Sequence, residues 1–204
     1  LQLKMHPLSV WGCILLKLRL FTMKETFFVY QDKRGFLFLS AWHGIITSTN
    51  NDSQERGMDL TIRKMNLNDL EPLCELLSEP QAMQYLEPPY TKEKTKQFLI
   101  NSGLSDPPRV FAVDSDSTFI GYVIFHAYDD VSIEIGWVLH PLYWGKGYAS
   151  QLTELLIEKG AELHKYLVIE CVPEQEITKH LALKYGFDYD GRTGGLDVFR
   201  LKSR

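Results

Sequence analysis

Cysteine is scarce in this chain, with three in 204 residues. Cys13, Cys74 and Cys171 are odd in number and far apart, so they make neither a disulfide framework nor the paired spacing of a metal site. So few thiols suit a reducing compartment, and the cytoplasm is the expected location. Long apolar runs are missing too. The stretch 8–16 is cut short by Lys17 and Arg19, whereas a membrane span needs about 20 apolar residues. No convincing small-residue cleavage site follows it, which argues against a signal peptide. Excess basic charge is also absent: 22 Lys and Arg against 26 Asp and Glu leave −4, the opposite of a nucleic-acid footprint. Internal repeats and low-complexity tracts are lacking. What is present is 45% hydrophobic residues, ample for a core, over a length that suits one domain plus an extension.

The charge is unevenly spread. Residues 1–57 carry +3 and the remainder −7, and an acidic domain attracts cationic partners such as amines. Within 1–57, the segments 27–30 and 36–40 flank a polar break and would form a hairpin. The polar stretch 47–57 reads as a linker. The expected division is therefore an N-terminal extension at 1–57 and a domain at 58–204. The extension is either upstream read-through ahead of a start at Met58 or an accessory segment packed on the domain.

From Met58 onward the pattern is regular. Residues 60–65 read as a strand, and Asn66 or Asn68 caps a helix bearing Leu70, Leu73, Leu76 and Leu77. A proline-rich connection spans 79–90. Thr91 caps a helix to residue 100, and strands follow at 110–113 and 119–125. Residues 131–139 alternate as a strand, with Val131, Ile133, Ile135, Trp137 and Leu139 on one face and Ser132, Glu134, Gly136 and Val138 on the other. His140-Pro141 ends it. A buried strand is expected at 166–172, with Pro173 suiting the start of the next helix. Gly186 provides a left-handed stop and Phe187 folds back on the helix. Residues 188–191 and 197–201 complete the sheet.

The most informative stretch is Trp144-Gly145-Lys146-Gly147-Tyr148-Ala149. It leads from the strand into a helix marked by Ala149, Leu152, Leu155, Leu156 and Leu163. A glycine turn opening a helix leaves backbone N–H groups unpaired, and the helix dipole adds positive potential there. An anion such as phosphate fits that place. The first acid in this helix is Glu154, well inside it, so its positive end is left for an outside group.

These residues resemble the GNAT superfamily of acyl-CoA-dependent N-acyltransferases, whose motif is Gln/Arg-x-x-Gly-x-Gly/Ala. Gly147 and Ala149 match, and Trp144 replaces the leading Gln/Arg, as in the branch of ribosomal-protein N-terminal acetyltransferases. A second family segment, Asn-x-x-Ser/Ala ending in Gly-Phe, resembles Gln175-Glu176-Ile177-Thr178 through Tyr185-Gly186-Phe187. Ala182 stands where many members carry a tyrosine. The resemblance covers roughly residues 58–204 and implies an α+β fold, an α/β/α sandwich with a mixed, mostly antiparallel sheet.

It also implies acetyl-CoA as acyl donor. Its pyrophosphate would rest on the N–H groups of Trp144, Gly145, Lys146, Gly147, Tyr148 and Ala149. Its pantetheine arm would run along the strand edge near Val138 and Leu139, with Gln175 in contact and Lys146 adding charge. A strand N–H would also stabilise the tetrahedral oxyanion. Glu134 would be the general base, since an alkylammonium must lose a proton before it attacks a thioester. Burial raises a carboxylate's proton affinity and suits that role; the alternative is a solvated strand residue. Thr178, where relatives have Ser, would protonate the thiolate, or else bond its own backbone. No metal is expected. Cys171 has no adjacent His, which disfavours an acyl-cysteine route. Glu79, Tyr85, Glu87 and Tyr90 would border a cleft for a small-molecule or peptide amine, or form a solvated loop. The expected activity is direct acetyl transfer in a ternary complex, in a protein that could be a homodimer, without nucleic acid or membrane. Two alternatives stand beside it: a non-catalytic CoA-binding or regulatory module, and transfer of a different acyl group.

Overall fold

The structure is a computed structural model that describes residues 46–47 and 60–202. The hairpin expected within 27–40, the linker beyond Thr47 and Met58 lie outside the described residues. Eight strands form one sheet: β1 (Ile46–Thr47), β2 (Leu60–Arg63), β3 (Val110–Ser115), β4 (Thr118–Ala127), β5 (Ser132–Leu139), β6 (Tyr166–Cys171), β7 (Asp188–Thr193) and β8 (Leu196–Leu201). Their order is β1-β2-β3-β4-β5-β6-β8-β7. β5 and β6 are the one parallel pair among them. A parallel neighbour needs a crossover, and helix α4 (Tyr148–Glu162) supplies it. The other helices are α1 (Leu70–Ser78), α2 (Pro80–Met83), α3 (Lys92–Phe98) and α5 (Glu176–Lys184).

The alternation in β5 divides two cores. Ile133, Ile135 and Leu139 pack with Leu152 and Leu156 of α4, and with Phe187 and Phe199. Val138 faces the other way, with Tyr122, Leu73, Leu76, Leu77 and Phe98. Helices thus cover both faces, the sandwich expected from the sequence. No helix among the described residues is long and apolar enough to cross a membrane.

Local chemistry sets the element ends. Asn66 and Asp69 form a reciprocal capping box ahead of α1, satisfying N–H groups that the first helical turn cannot pair. Asp69 is buried and accepts from both Nη atoms of Arg63 at 2.8 and 2.7 Å. Arg63 Nε donates to Asp114 on β3 at 2.6 Å. This bridge ties the first helix to the sheet. At the end of α5, Gly186 has φ +84°. Phe187 N–H donates to Ala182 O and Gly186 N–H to Leu183 O, the double bond of a left-handed helix stop.

Several boundaries shift by a few residues from the sequence reading, and two of the differences lie near the site. α5 begins at Glu176 rather than at Pro173, with Gln175 in the capping position and no side-chain cap. The proline-rich connection contains the short helix α2, which Pro80 opens and Glu79 caps through Gln81 N–H.

Candidate active site

The site begins where β5 and β6 part. Their register contains three pairs, Ser132 with Tyr166, Ile133 with Leu167 and Glu134 with Val168. Beyond Glu134 both strands continue, β5 to Leu139 and β6 to Cys171, without pairing. On its other side β5 pairs with β4 from Ile133 to Leu139. The flanking bonds Tyr128 N–H to Ser132 O and His140 N–H to Ile120 O show that even-numbered residues of β5 bond β4. By the alternation of a ladder, the backbone groups of Ile135, Trp137 and Leu139 point into the fork. Trp144 Nε1 donates to Leu139 O at 2.8 Å, so that carbonyl is taken. Val138, expected on the cofactor path, turns its backbone to β4 and its side chain into the core; the backbone that faces the fork is that of Trp137 and Leu139. Sequence parity contained this signal, but only the pairing partner shows which parity faces the fork.

At the open end of the fork lies the N-terminus of α4. Gly145 and Gly147 have φ of +70° and +87°, a left-handed backbone that glycine adopts without strain. A Cβ at Gly145 would meet nothing within 4 Å, so conformation, not crowding, requires glycine there. Gly147 caps α4 with no side-chain bond, and no acid sits in the first turn. The N–H groups of Tyr148, Ala149 and Ser150 therefore lack intrahelical partners, as expected from the sequence. The side chains have other work. The Tyr148 hydroxyl is 3.0 Å from Ser115 Oγ in the core, and Lys146 Nζ lies 5.3 Å from the centre of the Tyr143 ring. His140 accepts from Leu142 N–H, which caps the turn leading into the loop.

Glu134 sits at the point of the fork. It is 4% exposed, which excludes the solvated alternative. Its Oε2 lies 3.5 Å from His126 Nε2 on β4. On the same side of the sheet, the Tyr128 hydroxyl donates to Glu170 Oε1 at 2.6 Å, and burial together with Glu170 pushes its phenol above its ordinary range. Arg200 on β8 holds Asp190 at 2.8 Å and bonds Ser132 Oγ. Gly136 lies two residues beyond Glu134 on the same face of β5. A Cβ there would come 3.3 Å from Ile124 Cδ1, so the glycine accommodates a neighbouring side chain.

A match to known proteins fits this geometry. The family profile described as an acetyltransferase (GNAT) domain matches residues 59–188. The chain belongs to the GNAT acetyltransferase family. It is 31% identical to the uncharacterized N-acetyltransferase YnaD of Bacillus subtilis (strain 168), over 65% of this chain and 81% of that protein. A GNAT acetyltransferase of Bacillus anthracis shares 25% identity with a TM-score of 0.64, over 71% of this chain and 95% of that one. RimL, a ribosomal L7/L12 alpha-N-protein acetyltransferase solved with coenzyme A, shares 18% identity and a TM-score of 0.59 over 70% and 93% of the two chains; this likeness shows the fold alone.

In this GNAT domain the remaining expected residues divide. Gln175 and Thr178 stand at the start of α5, both half-buried, just after the end of β6. Ala182 is fully buried in the core. Cys171 is also fully buried, and burial pushes its thiol up to about 12, which leaves it protonated and unreactive near neutral pH. The expected acceptor residues are mostly engaged. Glu79 caps α2, Glu87 pairs with Lys94, and Tyr90 is core. A cavity of about 320 Å³ nevertheless opens beside Glu87, lined by Met83, Gln84, Leu86 and Pro88 among others. No group of metal-binding side chains occurs among the described residues.

Proposed function

We propose that this GNAT enzyme transfers the acetyl group of acetyl-CoA to a primary amine by direct attack in a ternary complex, with Glu134 as general base. The observation that carries the reading is the fork. A carboxyl buried at its point, strand backbone not paired to β6 along one arm and a helix N-terminus without a side-chain cap follow one another along the chain. Diphosphate suits the α4 N–H groups because no protein carboxylate competes for them. The pantetheine amides suit the Trp137 backbone and the Leu139 N–H, which would otherwise need water. Glu134 would take the ammonium proton, the freed nitrogen would attack the thioester carbon, and the strand N–H groups would stabilise the oxyanion. The thiolate would leave with the electron pair and take, through the Thr178 hydroxyl, the second proton that the nitrogen loses on becoming an amide, so that Thr178 is left as it began.

The acceptor is read as a cationic amine, small molecule or peptide. The acidic domain favours its approach. Scarce cysteine supports a cytoplasmic setting. The test is thiol release from acetyl-CoA across a panel holding spermidine, free amino acids, an aminoglycoside and peptides with N-terminal serine or alanine. Turnover on at least one amine is expected. Acetyl-CoA binding with no turnover on any of them would favour a CoA-binding module instead.

A further inference from the structure

Acetyl transfer to a cationic amine releases a proton. R–NH3+ and CH3CO–S–CoA give R–NH–CO–CH3, HS–CoA and H+. The nitrogen loses two protons and gains a bond to carbon. The sulfur keeps the electron pair of the broken C–S bond and takes one proton. The other must reach water in every turnover. Glu134 is only 4% exposed, and a buried carboxyl that stayed protonated could not serve again.

His126 stands beside it with the needed geometry. The β4–β5 register sets the two residues opposite each other. Nε2 of His126 lies 3.5 Å from Oε2 of Glu134, and the histidine side chain is 19% exposed against 5% for the glutamate. His126 Nδ1 lies 3.0 Å from the carbonyl oxygen of Ala127. A carbonyl only accepts, so this contact places a proton on Nδ1 and turns the Nε2 lone pair of the neutral ring toward Glu134. The charged and titratable groups around the pair are Tyr128 and Asp129 in the next turn, Glu170 on β6 and Arg200 on β8. Arg200 is engaged by Asp190 and Asp129, and Tyr128 is held by Glu170. Of all these, histidine is the type that both takes and releases a proton near neutral pH.

We propose that His126 takes the amine's proton from Glu134 at Nε2 and releases it to solvent, acting through Glu134 and not on the acceptor. The proposal rests on Glu134 being the base. The test compares His126→Ala, His126→Gln and Glu134→Gln with the unaltered chain, using acetyl-CoA and the fastest amine of the panel. His126→Ala should lower kcat at pH 7 roughly a hundredfold, the lower end of what a positioned proton-transfer group contributes. KM for acetyl-CoA should hold, and added imidazole should restore much of the rate. His126→Gln, which fills the site without a basic nitrogen, should be as slow, and it carries the test if the alanine variant does not fold. Side-chain spectra of 15N-histidine-labelled protein should show the Nδ1–H tautomer and a His126 pKa that falls in Glu134→Gln. An unchanged kcat in the His126 variants, or a loss insensitive to imidazole and pH, overturns the relay. A fully active Glu134→Gln overturns the base assignment itself; an impaired Glu134→Gln beside an unimpaired His126→Ala overturns the relay alone.

Discussion

Glu134 is a carboxyl group in near-complete burial, a setting in which the charged form is held only at a cost. Replacing it with glutamine keeps the shape and removes the base. We expect Glu134→Gln to lower kcat/KM at pH 7 by about 10² to 10⁴, the usual worth of general-base catalysis. Acetyl-CoA affinity by calorimetry should stay within about twofold, since a residue at the point of the fork does not touch the diphosphate. An unaltered pH–rate profile would remove Glu134 from the chemistry. Alternation along residues 131–139 placed Glu134 on its face from the sequence alone. Its burial was not legible there, because the groups that surround it come from β4, β6 and β8. His126 was missed for the same reason: it meets Glu134 only through the β4–β5 register.

Two elements hold the site in place, and each can be tested separately. The N-terminus of α4 presents N–H groups and positive potential with no acid in its first turn. Ser150 lies in that turn and is half-buried. Ser150→Glu should stabilise the helix by about 0.3–1 kcal/mol through the dipole, while weakening acetyl-CoA binding at least roughly tenfold as the carboxylate competes with phosphate. Opposite signs in thermal unfolding and calorimetry would identify this end as the diphosphate seat; unweakened binding would argue against it. The Arg63–Asp69–Asp114 bridge anchors the start of α1. Asp69→Ala breaks the cap and removes one of the two carboxylates that hold the guanidinium, leaving Asp114, and should cost about 1–3 kcal/mol in urea unfolding. A loss under about 1 kcal/mol would mean the bridge is screened like a surface pair. The glycine turn and the capping asparagine were legible because both act on adjacent backbone. The bridge joins residues far apart in sequence, so spacing could not reveal it.

At the scale of the whole molecule, burial of neutral acids predicts how stability depends on pH. Cys171 is pushed from 9.0 up to about 12, chiefly by burial. Tyr90, Tyr122 and Tyr128 are raised above their ordinary 10.0, each with burial as the largest cause. A group raised in the folded state contributes stability that is complete below its unfolded pKa and lost as pH climbs above it. The urea midpoint should therefore hold to about pH 9 and fall progressively through pH 11 as the unfolded chain ionises. A midpoint constant to pH 11 would contradict the burial of these groups. Periodicity and glycine placement, acting within single turns and strands, settled most of the elements, the two-faced sheet and the glycine turn that opens α4 from sequence. Tertiary structure alone decided where β5 and β6 separate, which backbone parity faces the fork, and that a histidine stands against the buried glutamate. Those features arise from register between strands, and register is set by packing between segments that the linear chain keeps apart.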